Sequence, residues 1–166
     1  YISASTFNLK VGNSLDPQIF RDKLQDSGYI SVSNVLSEGE FALRGGLIDV
    51  YPIGSSNPFR LDFFGEQIDS IRYFDTSTQK SIKKTSSITI LPAKEFPTND
   101  IAKKVFRASY RKHFSGDPSS SPIYTEVSES RFPAGIEYYF PLFFEHTSSI
   151  FDYIPQDSVF IYCDDA

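Results

Sequence analysis

The sequence predicts an α+β protein, with an antiparallel-sheet module over residues 1 to about 91 and part of an α/β domain over residues 92–166. Three observations support this prediction. Apolar residues recur with a period of two from Tyr29 to Leu91, between glycine-containing turns, which is typical of short antiparallel strands. One amphipathic helical pattern precedes that stretch, at residues 16–27. After Leu91, prolines interrupt the chain and the pattern changes to that of a helix.

The first elements are a short strand and a helix. The strand is predicted from apolar residues that alternate with polar ones: Phe7, Leu9 and Val11. Asp16 before Pro17 is typical of an N-cap followed by the first helical residue, and Gly28 is typical of the position just beyond a helix end. The predicted buried face of this helix contains Ile19, Phe20 and Leu24.

The predicted sheet strands are 29–35, 40–43, 47–53, 59–64, 67–74 and 87–91. Gly65-Glu66 lies between two apolar strands and predicts a hairpin with glycine first in a two-residue turn. Arg44-Gly45-Gly46 precedes a strand instead of opening a helix. It therefore predicts a bulge or tight turn, not a phosphate-binding loop.

The pattern after Leu91 predicts a helix and then a buried strand. Pro92 and Pro97 mark a boundary, and the Thr98-Asn99-Asp100 cluster predicts the cap of a helix that runs to about His113. The apolar face of that helix contains Ile101, Val105, Phe106 and Tyr110. The final apolar run, residues 159–162, precedes Cys163-Asp164-Asp165 and is typical of a parallel strand in an α/β sheet.

Composition excludes several classes of protein. Aromatic residues make up 16% of the chain, which argues against a disordered tether. The net charge of −5 argues against a stand-alone nucleic-acid binder. The sequence contains neither a membrane-span pattern nor a signal peptide, so we expect a cytoplasmic protein. Because the chain has no Met and begins at Tyr1, we expect it to be a segment of a longer protein.

No catalytic constellation is apparent in the sequence. His113 and His146 have no cysteine or carboxylate at metal-ligand spacing, and surface positions are favoured for both. Cys163 lies in an apolar run without a histidine partner, which favours a core cysteine over a nucleophile. The sequence also lacks a P-loop. We therefore predict no catalytic residue, no metal and no cofactor for this segment.

The hairpin predicted at residues 59–74 is more informative. Side chains alternate faces along a strand, so Arg60, Asp62 and Phe64 share the face opposite the core. In the simplest register Phe64 pairs with Gln67, Asp62 with Asp69, and Arg60 with Ile71. Arg60 then either neutralises the two opposed acids or forms, with Phe64, the arginine-and-aromatic composition of a binding hot spot. The residues alone leave both interpretations open.

The string GEFALRGGLIDVYP at residues 39–52, followed by FRLDFF at 59–64 and residues 68–75, resembles domain 2 of the bacterial excision-repair helicase UvrB. It equally resembles the matching domain of the bacterial transcription-repair coupling factors, the Mfd family. Residues 135–138 and 151–155 resemble the portion of domain 1 that follows in both families. The string LPA at 91–93 with EFPT at 95–98 is closer to the coupling factors. The resemblance implies a UvrB domain 2-like module (1–91) and a truncated, degenerate RecA-like domain 1b (92–166).

One comparison separates the two families. In UvrB, the segment that residues 151–155 resemble is followed by a strand that ends in an acidic ATPase motif. In this sequence Cys163 occupies the position of the first acid of that motif. A missing carboxylate removes the hard oxygen ligand that magnesium prefers. The resemblance thus favours the coupling factors, whose ATP and magnesium are bound by motor domains elsewhere in the parent protein.

For that family the implied function is docking of UvrA, which recruits nucleotide-excision repair to stalled RNA polymerase. The contact residues carried over are Arg44, Arg60 and Phe64, with Asp62 as support. The resemblance also implies that another domain of the parent masks this surface at rest. RNA polymerase and DNA would be bound by other domains of the parent.

Two alternatives remain open from the sequence. The chain could be a fragment of the UvrB helicase that takes part in ATP hydrolysis and handling of damaged DNA, in which case a Walker A loop would precede Tyr1. It could also be a structural spacer without affinity for UvrA.

Overall fold

The computed structural model describes residues 1–159 and 161. Its strands are β1 (Phe7–Lys10), β2 (Ile30–Ser31), β3 (Glu40–Arg44), β4 (Leu47–Val50), β5 (Phe59–Phe64), β6 (Gln67–Phe74), β7 (Ser81–Thr85) and β8 (Ser87–Ile90). Its α-helices are α1 (Pro17–Asp26), α2 (Asp100–His113) and α3 (Pro122–Ser128). Short 3₁₀ segments occupy Ser3–Ser5, Pro118–Ser120, Ile136–Phe143 and Ile150–Tyr153.

The predicted α+β class is confirmed. A six-stranded sheet has the order β2-β3-β4-β5-β6-β7, and β1 pairs with β8 in a separate two-stranded sheet. All pairings are antiparallel except β2 with β3, which is parallel. The Gly45-Gly46 and Gly65-Glu66 turns join neighbouring strands as tight hairpins, as predicted.

Helix α1 is built as its sequence predicts. The Asp16 side chain accepts hydrogen bonds from the backbone N–H groups of Gln18 and Ile19, which satisfies two of the free donors at the helix start. Gly28 follows the helix with a φ of +89°, a conformation that favours glycine. Phe20 and Leu24 are buried, whereas Ile19, also predicted to face the core, is exposed.

The main core lies on the α1 side of the six-stranded sheet. Its central buried residues are Phe20, Leu24, Phe41, Ile48, Val50, Leu61, Ile68 and Ile71. A smaller cluster on the opposite face of the sheet contains Val35, Ala42 and Phe74. The sheet is therefore covered on one face and only partly covered on the other, where polar side chains reach the surface.

A second buried cluster is formed by residues after the sheet: Phe96, Ala102, Phe106, Tyr124, Val127, Ile136 and Phe143. Helix α2 begins at the predicted cap, where the Asn99 side chain accepts a hydrogen bond from Ala102 N. Phe106 is buried on its inner face, but Ile101, which was predicted to share that face, is exposed. The division into units at residues 91 and 92 stays a prediction.

The strands differ from the prediction at four places. The strand predicted at 47–53 ends at Val50. Of residues 29–35 only Ile30 and Ser31 form a strand, because the following chain turns away and Glu40 accepts hydrogen bonds from Leu36 N and Ser37 N. Strand β7 was not predicted because its residues are almost all exposed and its lysines mask the alternation. Val159 and Ile161 lie outside any strand and are exposed; residues 160 and 162–166 fall outside the described residues.

Candidate partner-binding site

Strand β5 displays two different faces. Phe59, Leu61 and Phe63 are buried, while Arg60, Asp62 and Phe64 point to the opposite face, as strand alternation predicts. The Phe64 side chain stands at the hairpin end and is 83% exposed. A ring this exposed contributes little buried apolar surface to the stability of the fold. It is therefore available for contact with another molecule.

The register of the hairpin differs from the simplest prediction. Phe64 pairs with Gln67 as expected, but the register shifts between Asp62 and Phe63. Asp62 therefore pairs with Ser70 and Arg60 with Arg72, not with Asp69 and Ile71. The shift is a β-bulge, which inserts one extra residue into the ladder and offsets every pair beyond it.

The carboxylate that Arg60 binds is Asp49 on the neighbouring strand β4, and not Asp62 or Asp69. Arg60 Nε donates to Asp49 Oδ1 at 2.7 Å and Nη2 donates to Oδ2 at 2.8 Å, a bidentate pair. Asp49 is only 1% exposed, so its charge depends on this pairing. The hydrogen bonds to Asp49 also raise the pKa of the Arg60 guanidinium.

The remainder of the Arg60 guanidinium is held from other sides. Nη1 donates to the backbone oxygen of Gln79 at 3.1 Å. The guanidinium carbon lies 5.0 Å from the centre of the Phe74 ring, within cation–π range. With 15% of its side chain exposed, Arg60 is anchored in the protein and offers only an edge to solvent.

Arg44 reaches the same carboxylate from the end of strand β3. Its Nη2 donates to Asp49 Oδ2, and its Nη1 donates to Asn34 Oδ1 at 3.1 Å. The Arg44 side chain remains 43% exposed. The structure thus brings the predicted residues Arg44 and Arg60 together on one buried acid, while Arg44 retains a solvent-facing surface.

Asp62 lies between these arginines and Phe64. Asp62 on β5 pairs with Leu47 on β4, and Leu47 pairs with Arg44 on β3. These three residues therefore form a row across three strands. The Asp62 carboxylate approaches Arg72 Nη2 at 3.9 Å, a weak and half-exposed ion pair. Asp62 thus lies on the same face of the sheet as Arg44 and Phe64, and the described residues show no ion pair between it and Arg44 or Arg60.

Sequence reasoning missed Asp49, the residue that organises this site. Its signal was present, because Asp49 is a single acid between two apolar core residues of β4, Ile48 and Val50. By alternation its side chain faces away from the core. Burying a carboxylate there costs free energy unless a cation pairs with it, so a cation on a neighbouring strand was to be expected.

The described residues show no group of three or more histidine, cysteine or acidic side chains that could hold a metal ion. His113 lies at the exposed end of α2, where Nδ1 is 2.8 Å from Ser109 O. No helix in the described part of the chain has the length and apolarity needed to cross a membrane. The Cys163-to-Ala166 comparison lies outside the described residues.

Comparison with known proteins identifies the class. The family model of the UvrB interaction domain matches residues 7–96, and the chain belongs to this family. The match spans the sheet, α1 and the candidate site. The resemblance inferred from the sequence is thereby confirmed.

Within that class the chain is similar to transcription-repair-coupling factors. It is 44% identical to the Haemophilus influenzae protein over 97% of the chain, 41% identical to the Escherichia coli protein over 92%, and 30% identical to the Bacillus subtilis protein over 95%. The chain spans 13% to 15% of the length of these three relatives.

Proposed function

We propose that this chain is the adaptor segment of a bacterial transcription-repair coupling factor and docks UvrA through Arg44, Arg60 and Phe64. The observation that carries the proposal is an exposed Phe64 ring on the same sheet face as two arginines that are anchored on buried Asp49. Through UvrA the parent protein would bring nucleotide-excision repair to stalled RNA polymerase in the cytoplasm.

The physical roles of the three side chains differ. Phe64 supplies an aromatic ring whose burial on binding releases water, which is the usual chemistry of an interface hot spot. Arg44 offers a half-exposed guanidinium that can bind a carboxylate of UvrA. Arg60, anchored on Asp49, contributes mainly by holding the surface in place and presents only its outer edge.

Two further properties of the parent belong to this proposal. The same surface would be masked by another domain of the parent until UvrA binding is required, because an exposed hot spot also attracts unwanted partners. DNA translocation driven by ATP and magnesium, with the contacts to DNA and RNA polymerase, would belong to other domains. This segment would have no cofactor and no catalytic residue.

The alternative, a UvrB fragment that takes part in ATP hydrolysis and DNA handling, has less support. The similarity to coupling factors extends beyond the shared domain across nearly the whole chain, and Cys163 replaces the acid expected to organise magnesium. An intact ATPase motif would require a carboxylate at that position.

The proposal is tested by gel-filtration co-elution of the chain with purified UvrA of the same organism. We expect wild type to co-elute and the double variant Arg44→Ala/Phe64→Ala to elute separately. The matched control is Arg21→Ala/Ile82→Ala: Arg21 is 41% exposed on α1 and Ile82 is 63% exposed on β7. Co-elution of the site variant, or loss of the control, would contradict the proposal.

A further inference from the structure

We infer that Asp49 is a positioning residue for UvrA docking, acting through Arg44. This inference rests on the proposed function and adds a residue that does not itself reach the surface. Asp49 is 1% exposed, so it cannot contact a partner directly. Any effect of Asp49 on binding must therefore pass through the side chains that it holds.

The geometry gives Asp49 control over the orientation of Arg44. Asp49 Oδ2 accepts hydrogen bonds both from Arg44 Nη2 and from Arg60 Nη2, while Oδ1 accepts only from Arg60 Nε. Among the described residues the Arg44 guanidinium has one other hydrogen-bond partner, Asn34 Oδ1 at 3.1 Å in an exposed loop. Asp49 is thus the only buried anchor that the described residues provide for Arg44.

This anchoring makes Arg44 a preorganised contact. A free arginine side chain samples many rotamers and loses that freedom on binding, which weakens association. The Arg44 guanidinium is already held by its hydrogen bond to Asp49, while 43% of the side chain remains exposed. Its backbone is fixed by pairing with Leu47. Fixing a charged side chain before binding increases affinity without adding a contact.

The charges support the same role. Two guanidinium groups share one carboxylate, so the cluster of Arg44, Arg60 and Asp49 carries a net charge of +1 in a chain of net charge −5. Arg44 is the more exposed of the two guanidinium groups. Asp49 therefore allows two cations to lie side by side and leaves the Arg44 guanidinium as the one that a partner can reach.

The substitution Asp49→Asn tests this role with little change of shape. If the amide group takes the place of Oδ2, it puts a donor against the donors of Arg44 and Arg60. Four proteins are compared for their Kd with UvrA: wild type, Asp49→Asn, Arg44→Ala and the double variant. We expect Asp49→Asn to weaken binding about tenfold in the wild-type background and clearly less in the Arg44→Ala background, where only Arg60 still depends on Asp49.

A purely structural role would give a different result. The control Leu24→Ala removes a buried side chain on the other face of the sheet, and we expect it to keep the wild-type Kd at a temperature where both proteins are folded. If Asp49→Asn does not fold, Asp49→Glu keeps the charge but moves its oxygens by one methylene, and we expect the same dependence on Arg44.

The outcomes separate this inference from the proposed function. If Arg44→Ala weakens binding but both Asp49 variants bind as wild type, the positioning role is overturned and the docking proposal stands. An equal loss from Asp49→Asn with and without Arg44, or an equal loss from Leu24→Ala, also overturns it. Absence of binding by wild type overturns both.

Discussion

At the scale of single residues, Arg60 and Phe64 lie on the same face of β5 but differ in their surroundings: Arg60 is paired with Asp49, whereas Phe64 is exposed. Strand alternation was enough to place them together. The partner of Arg60 could not be predicted in the same way, because Asp49 lies 11 residues earlier and pairs with it only through the β4–β5 register. Alternation specifies a face, whereas ion pairs depend on which strands are neighbours.

Because Arg60 is paired with buried Asp49, we predict that charge reversal at Arg60 destabilises the fold in addition to weakening the docking of UvrA. Arg60→Glu would place an acid against buried Asp49, and breaking such a pair costs about 3–5 kcal/mol. Urea denaturation should show this loss in the free energy of unfolding. The control reversal Arg21→Glu, at an exposed ion pair with Asp22, should cost no more than about 1 kcal/mol. Equal urea midpoints for Arg60→Glu and wild type would contradict the pairing.

The buried phenol of Tyr29 gives a prediction about pH. Its hydroxyl donates to Leu91 O at 2.6 Å, and burial raises its pKa from 10.0 to about 12. Because the unfolded chain loses this proton first, Tyr29 stabilises the fold fully below pH 10 and loses that contribution as pH rises toward about 12.

The measurement is the free energy of unfolding of wild type minus that of Tyr29→Phe across this pH range. Below pH 10 we expect a positive difference of about 1 kcal/mol from the hydrogen bond. Above pH 10 the difference should fall by up to about 1.4 kcal/mol per pH unit. A difference that stays constant from pH 8 to pH 12 would show that Tyr29 titrates normally.

At the scale of elements, capped helices and glycine turns were predicted closely, because their signals are local. Asp16-Pro17 and Asn99 cap the two predicted helices. The bulge in β6 opposite Asp62 and Phe63 was not predictable, since no local residue type requires it. Strand β7 was missed for a related reason: it is stabilised by pairing with β6 and contributes almost no buried side chain.

The hairpin turn that presents Phe64 gives a prediction at this scale. Gly65 has a φ of +61°, and a Cβ there would meet no other atom within 4 Å. The cost of Gly65→Ala is therefore conformational, about 1–2 kcal/mol in the free energy of unfolding. Gly65→Asn should cost less, because asparagine adopts this conformation more readily. Thermal or urea denaturation of both variants measures the difference, and an equal loss would contradict a purely conformational cause.

At the scale of the whole molecule, the class of fold followed from the change of periodicity at Leu91. The opposite face of the sheet, which carries the candidate site, was harder to predict. It is assembled from residues on β3, β4 and β5, together with Gln79 and Phe74, and the small cluster around Phe74 closes one end of it. The sequence indicated Arg44, Arg60 and Phe64, and only the strand order shows that the two arginines converge on Asp49.

The central claim is that Phe64, Arg44 and Arg60 form the docking surface for UvrA. The most direct test is isothermal titration of UvrA with wild type, Phe64→Ala and Ile82→Ala. Ile82 is an exposed apolar residue and serves as the control. It follows Ser81, which pairs with Phe74 at one end of β6. Phe64 pairs with Gln67 at the other end of β6, so the two sites are well separated. We expect Phe64→Ala to raise the Kd about 30-fold or more, as for a hot-spot aromatic, and Ile82→Ala to leave it unchanged. Equal Kd values for Phe64→Ala and wild type would contradict the claim.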